Sequence, residues 1–485
     1  MGVNGLTTLL RRYAPNSMRT VSASSLARQT IAFDASCHLN KFVYGDEPHE
    51  HRHVYGFYLL SRFCEHNLIK PIFVFDGSRR IAAKQLETER REKTRIKVGY
   101  SLDYERSRAE RLEDWIQLSS AFRELSDSAA ARILEQLGET IEALQQETTW
   151  ATTAASNVAT TASDTFKDED EEAVVTMDTL RALRDQTIMN RERQLEAKLT
   201  HIAHELRSAV QLANDRAKYT RTVRDLSARE HSAVASMLRD RIENAERSLD
   251  DLKKINRRML TSLEKRSIRV TQRLRDECQE FLSTLGYACV SCEGHEAEAM
   301  CAHLAEIGIS SATVTEDMDT MVFGSAPILR YFFARNRSIL KVDPVVALEE
   351  LGLSRDEFID MCILCGTDFS GTIQGIGPIR ALQSIKQHRS IEKLLENLPP
   401  KYTPEPTFNY KLARKVFKSL PPVSIDPETY QPSPPDERKV AAMFERYDIE
   451  PEQVEERLHS ILLQQNAAAF GWGSDPFAAT VIPRL

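Results

Sequence analysis

Between Pro71 and Pro327 the chain contains no proline, and Gly138 is its single glycine between Gly99 and Gly286. A stretch with so few breakers supplies almost no turns, so it reads as helical or disordered. Long apolar runs are missing as well. None approaches the roughly 18 residues that a membrane-spanning helix requires. No secretory signal precedes the first apolar strand-like run, and the eight cysteines are scattered. Free thiols in a reducing compartment are therefore expected. Met1-Gly2 opens like a myristoylation signal, but Leu6 stands where Ser or Thr is needed. A basic surplus is absent too. The net charge of −7 opposes a nucleic-acid partner unless the charge is unevenly spread.

It is unevenly spread. From Arg79 to Lys97 there are eight basic residues, Arg91 among them, against Glu87, Glu89 and Glu92. A solvated helix face is the commonplace origin of such a run, but this one directly follows an acidic residue that ends an apolar stretch. Ile31-Ala32-Phe33 runs into Asp34, and Pro71-Ile72-Phe73-Val74-Phe75 runs into Asp76. Ala312-Thr313-Val314-Thr315 runs into Glu316, Asp317 and Asp319, and Met361 to Thr367 runs into Asp368. Glu296 and Glu298 flank Ala297 ahead of a helical stretch to Ile307. Short apolar runs bounded by turn residues read as buried parallel strands, and ligands of open α/β sheets bind beyond the carboxyl ends of the strands.

A single Asp after a strand is more often a helix N-cap, which would suffice for Asp34 or Asp76 alone. The Glu-x-Glu and Asp-x-Asp pairs flank one helix and one strand, a unit that returns both pairs to the same sheet edge. Carboxylates gathered there repel unless cations are present, and Mg²⁺ is the usual hard cation for oxygen ligands. Zinc is a poorer fit. Cys289/Cys292 and Cys362/Cys365 have the right internal spacing but lie too far apart for a compact module. His295-Glu296 lacks a second histidine at Ala299. Later in the chain, Gly375 and Gly377 would let the backbone approach a phosphate, and Pro378 and Arg380 open the next helix at its positive end.

Taken together these segments resemble the structure-specific flap endonuclease family, which also contains the xeroderma pigmentosum group G nuclease. The resemblance rests on Met1-Gly2-Val3-Asn4-Gly5-Leu6, Val74-Phe75-Asp76-Gly77, Glu296-Ala297-Glu298-Ala299 and Thr315-Glu316-Asp317-Met318-Asp319. Leu364 to Phe369 and Gly375-Ile376-Gly377-Pro378-Ile379-Arg380-Ala381 complete it. It implies an α/β, PIN-like (resolvase-like) nuclease core with a parallel sheet. A helical arch, a helix-turn-helix and C-terminal helices would surround it. The implied reaction is hydrolysis of a phosphodiester at a 5′ single-strand/duplex junction in DNA repair or replication, with 5′-to-3′ exonuclease action on ends. Two Mg²⁺ ions, replaceable by Mn²⁺, would be held by Asp34, Asp76, Glu296 and Glu298 on one side and by Asp317, Asp319 and Asp368 on the other. Lys84 and Arg90 would steer the scissile phosphate. Gly2, Arg91, Gly375, Gly377 and Arg380 would contact DNA, with a potassium ion in the helix-turn-helix turn.

Departures from the family pattern bear on the preferred DNA structure. The arch lysine position is Ala83, with Lys84 one residue later. A stacking tyrosine is replaced by Asn40, and a turn lysine by Ile379. The implied boundaries are 1–98 and 265–350 for the two nuclease regions, 351–400 for the helix-turn-helix and 401–485 for a C-terminal wrap. Residues 99–264 form an arch insertion, with an acidic, disordered linker over 147–173. Leu195, Leu199, Ile202, Leu206, Ala209 and Ala213, then Ile242 to Leu263, carry coiled-coil-like seams. They predict an internal hairpin or a partner-binding or self-associating surface. Two other readings use the same residues: a non-catalytic scaffold built on the insertion, and an RNA-directed nuclease of related fold. The family implies the nucleus, with the mitochondrion open. No membrane partner is expected, and Gln465 opens no sliding-clamp motif because Ala468 and Gly471 lack the required side chains.

Overall fold

The structure, a computed structural model, describes residues 2–79, 81–119, 125–138, 171–240, 245–334, 337–424 and 426–469. The chain divides into two compact units, Met1–Arg91 with Ile268–Leu485, and Glu92–Ser267.

The first unit is built on a seven-stranded sheet: β1 Met18–Val21, β2 Thr30–Asp34, β3 Lys70–Asp76, β4 Ala288–Cys292, β5 Thr313–Val314, β6 Ile328–Arg330 and β7 Ile339–Val342. Their spatial order is β1-β7-β6-β5-β2-β3-β4. The expected parallel sheet comprises β2 to β6, while β7 runs antiparallel to both β1 and β6. Alternation along the strands separates two helical layers. Phe33, Phe73 and Phe75 pack with Phe57, Phe63 and Phe281 on one face. Ala32, Ile72 and Val74 pack with Met300 and Leu304 of helix Ala297–Glu306 on the other. With strands buried on both faces, every polar function is displaced to their ends.

One predicted strand is a helix. The apolar run from Met361 lies in helix Arg355–Cys365, whose start is fixed by a capping box between Ser354 and Glu357. A continuous apolar run carries no period of its own, and here the cap decides. Cys362 and Cys365 are buried in this helix as core residues.

The second unit is a bundle formed by the Glu92-onward part of helix Gln85–Ser119 with Asp127–Leu137, Glu171–Ala213, Arg221–Asp240 and Ala245–Ser267. Leu195, Leu199, Ile202, Leu206, Ala209 and Ala213 are all buried. The seam is covered from within the chain, chiefly by Asp127–Leu137 and Arg221–Asp240, so the unit is not a hairpin of two segments. The linker expected over 147–173 falls, up to residue 170, outside the described residues; Glu171 already opens a helix. Ile242 also lies outside them.

A charged network sits inside this bundle. Arg108, Glu105 and Glu230 have no side-chain exposure. Arg108 donates from Nε to Glu230 at 2.9 Å, Arg111 donates to Glu230 at 3.2 Å, and Asn256 donates to Glu105 at 2.8 Å. Such a network survives burial only while every member is paired. Arg108→Met should therefore destabilise this unit by about 3–5 kcal/mol in denaturant unfolding followed by tryptophan fluorescence. Arg132→Met, at the exposed Arg132–Glu196 pair, should leave the midpoint nearly unchanged. Equal losses from the two substitutions would contradict the reading.

Candidate active site

Parallel pairing of β5, β2, β3 and β4 puts their carboxyl ends on one edge. Asp34, the last residue of β2, caps the following helix, accepting from Cys37 N–H at 2.9 Å, while its other oxygen accepts from Thr315 Oγ1 at 2.7 Å. Asp76 ends β3 and accepts from Ala297 N–H at 2.9 Å, which ties β3 to the start of the helix bearing Glu298. Glu296 is that helix's N-cap residue. Beyond β5, Asp317 N–H donates to Thr315 Oγ1 at 3.0 Å, and Asp317 Oδ1 accepts from Asp319 N–H at 3.0 Å. The strand ends and these hydrogen bonds thus bring the two acidic pairs to one edge.

The three residues Glu298, Asp317 and Asp319 offer ligand oxygens within 4.8 Å of one another. Asp319 is 1% exposed, and its Oδ1 has no hydrogen-bond partner in the structure. The residues predicted for the centre are all carboxylates, with neither His nor Cys among them, so the donor set suits a hard divalent cation. An orphaned buried carboxylate oxygen is what a cation of that kind would satisfy.

The N-terminal segment belongs to this site. Val3 N–H donates to Asp319, and Asn4 N–H donates to Gly366 O at 3.2 Å. Gly2 has a φ of +82°, and a Cβ there would collide with the Asp317 carboxylate and the Asp319 backbone. Only glycine fits.

Two cations face the acids. Lys84 Nζ lies 2.5 Å from Glu296 Oε2 and 3.7 Å from Asp368 Oδ2. Burial alone would lower the lysine's pKa, but the charges of Glu298 and Glu296 outweigh it and raise the value. Arg91 donates to Asp368 at 2.9 Å. Arg90 has an 84% exposed side chain and pairs with Glu87 at 3.8 Å. The geometry therefore brings Arg91 rather than Arg90 to the carboxylates. Glu316 turns away, accepting from Tyr331 N–H at 2.8 Å. Arg80, another of the eight basic residues between Arg79 and Lys97, lies outside the described residues.

The remaining predicted residues lie on the helix-turn-helix, in the turn between helices Arg355–Cys365 and Pro378–His388 and in the first turn of the second of these helices. Gly375 is left-handed, with a φ of +84°, and a Cβ on Gly377 would meet nothing within 4 Å. The Gly377 backbone is open to a ligand, while the Tyr402 ring lies against the Gly375 position. Arg380 donates to Gly375 O at 2.6 Å and closes the turn, while Ile379 is exposed. Asn40 bonds back to Ser36 O at 2.8 Å. Sequence reading missed Thr315, which joins Asp34 to Asp317, and Ser36, whose hydroxyl accepts from Asp76 N–H at 3.0 Å. A Thr just after β5, followed directly by carboxylates, was the available signal.

The chain matches the XPG N-terminal domain over residues 1–97 and the XPG I-region over residues 289–368. It is 34% identical over 250 residues to flap endonuclease 1-B of Physcomitrium patens, covering 50% of this chain and 68% of that protein. With flap endonuclease 1 of Caenorhabditis elegans it shares 40% identity over 198 residues, 40% of this chain and 50% of the relative. The match with the Chlamydomonas reinhardtii enzyme of the same name, 46% identical over 160 residues, covers 32% of this chain and 40% of the relative. The chain thus spans about half or less of the length of the nematode and algal relatives. The catalytic core of Rad2 in complex with DNA substrate shares the fold, with a TM-score of 0.50 and 15% identity over 95% of this chain and 100% of that one.

Burial first, then the charge of Asp76, pushes Asp34 up to about 7. Burial, and after it neighbouring carboxylates, raises Glu298 and Asp319 well above the usual range. Carboxylates of the unfolded chain lose their protons near pH 4, so from about pH 4 to 7 the folded state holds more protons than the unfolded one. Metal-free stability must then fall as pH rises. The melting temperature in EDTA should drop between about pH 5 and pH 7, and millimolar Mg²⁺ should raise it more at the higher pH. A metal-free melting temperature that climbs across this window, with no response to Mg²⁺, would contradict the account.

Proposed function

The chain belongs to the XPG and flap endonuclease family, and we propose that it is a divalent-metal-dependent, structure-specific DNA nuclease cutting near 5′ single-strand/duplex junctions. A 5′-to-3′ exonuclease mode on ends uses the same centre. The observation that carries this reading is the Glu298–Asp317–Asp319 cluster, two of its three residues buried, with an unpartnered Asp319 oxygen. It demands a cation: among the described residues no basic side chain pairs with Glu298, Asp317 or Asp319, and Lys84 offsets their charge only in part. Lys84 is committed to Glu296 and Asp368.

The residues divide the work as follows. Asp34, Asp76, Glu296 and Glu298 on one side, and Asp317, Asp319 and Asp368 on the other, would hold two Mg²⁺ ions, with Mn²⁺ as a substitute. When bound, such ions activate water and stabilise the leaving 3′ oxygen. Thr315 holds the Asp34 carboxylate and the Asp317 backbone, and the Asp319 N–H holds the Asp317 carboxylate, so the ligand oxygens are set before substrate arrives. Lys84 and Arg91 exchange their carboxylate partners for the scissile phosphate, and exposed Arg90 reaches the strand from the next position on the same helix. Gly2 keeps side-chain bulk out of the centre. The Gly375–Arg380 turn offers duplex phosphates an open backbone and a helix N-terminus, with K⁺ as its accompanying ion. DNA, branched or flapped, is the partner. The nucleus is the compartment the family suggests. Protein partners or self-association would use the outer surface of the Glu92–Ser267 unit, because its seam is buried inside.

Asp317→Ala tests the assignment. It removes a ligand without removing a cationic phosphate contact. Cleavage of a 5′-flap DNA should fall by at least about 10³-fold, while affinity for the same DNA changes by no more than a few-fold. Adding Asp319→Ala should cost little further, because residues acting as a unit are non-additive. Wild-type turnover by the Asp317 variant would refute the site. Cleavage of RNA flaps in preference to DNA by the wild type would replace the substrate class.

A further inference from the structure

A second recess opens beside the acidic centre in the same unit, with a volume of about 220 Å³. Glu296 lines it, so recess and centre share a residue. Phe323 and Ala299 are buried at its floor, and Ile81, Leu412 and Val416 supply further apolar surface. His295, Glu296, Lys415 and Ser419 are the polar residues that line it. It is smaller than the clefts of about 300–1,000 Å³ that enclose drug-sized ligands, and suits a single ring system.

Two features of helix Tyr410–Lys418 suit this recess to a ligand. Leu412 is 38% exposed although it lines an apolar hollow. Lys415 forms no ion pair among the described residues, whereas Arg414 is bound to Asp360 and Glu392, and Lys418 to Asp356. The hollow therefore combines apolar surface for a planar ring, an imidazole able to stack on it, and a lysine free for an anion. Single-stranded nucleic acid presents that combination: unpaired bases stack on aromatic side chains, histidine included, while basic residues follow the phosphates. A hydrophobic peptide side chain would use the apolar surface but leave Lys415 without a partner.

We infer that this recess takes the base of one unpaired nucleotide of the cleaved strand, adjacent to the scissile phosphate, with Lys415 on that nucleotide's phosphate and His295 against its base. The inference rests on the nuclease reading of the neighbouring centre. It gives that centre a means of registering where unpaired DNA begins, since a paired base cannot leave its stack without cost.

The test scans a single abasic site along the strand of a 5′-flap DNA, using the full chain. Wild type should show a rise in KM of about tenfold, the scale of losing one stacked base, at one position next to the cut. Leu412→Trp, a change at an exposed residue that fills the hollow, should raise KM on intact DNA and abolish the positional effect. Lys415→Ala should weaken binding of intact DNA and retain the position. Equal cleavage of all abasic substrates by an active wild type overturns the recess and leaves the nuclease reading standing. Should wild type cut no DNA at all, the nuclease reading falls, and binding decides the recess alone. 2-Aminopurine scanned along the same strand must change fluorescence at one position in wild type and not in Leu412→Trp; a uniform signal overturns it.

Discussion

Mutual repulsion among buried carboxylates at one sheet edge is the constraint on which the rest of this molecule depends. Two unit charges within 4.8 Å repel by about 3–4 kcal/mol even at an effective dielectric of about 20, and several such pairs converge here. A fold tolerates this only by spending stability from its core. The two helical layers packed on β2 and β3, rich in phenylalanine on one face and aliphatic residues on the other, supply it. The hydrogen bonds of Thr315 and the Ala297 amide then hold the Asp34 and Asp76 carboxylates in place against this repulsion, and Ser36 holds the Asp76 backbone. Lys84 offsets part of the charge, and the rest is left for divalent cations.

The Glu92–Ser267 unit solves a different problem. It also buries charge, but in opposite signs and fully paired, so the Arg108 network needs nothing from outside. Paired burial of this kind fixes how helices register against one another more than it adds net stability. One unit thus carries an uncompensated cluster suited to chemistry. The other carries a compensated one suited to architecture.

Much of the first unit was legible in the sequence because strands buried on both faces must be short, apolar and bounded. The residue that ends each of β2 and β3 is an acid, and β5 is followed at once by the Asp317/Asp319 pair. The same rule misread Met361 to Cys365, where a continuous apolar run hides a helix and only the Ser354/Glu357 cap reveals it. Adjacent residues on a helix point about 100° apart. Whether Arg90 or Arg91 meets Asp368 is therefore set by how the helix sits, which spacing cannot specify. Seam residues such as Leu199 and Leu206 announced a buried helical face, but not which helices would cover it. The Leu412–Lys415 hollow left no sequence signal at all, because its walls come from four separate segments.

Cation binding and proton release must be coupled if the acidic edge is what it is taken to be. Carboxylates held protonated by burial have to give up those protons when a divalent ion binds. The most direct measurement is calorimetric titration of the metal-free protein with Mn²⁺ near pH 6, in buffers of different ionisation enthalpy. The account predicts release of at least about one proton per protein on binding, with both heat and protons sharply reduced in Asp319→Asn. Tight binding without proton release, or binding that persists unchanged in Asp319→Asn, would contradict it.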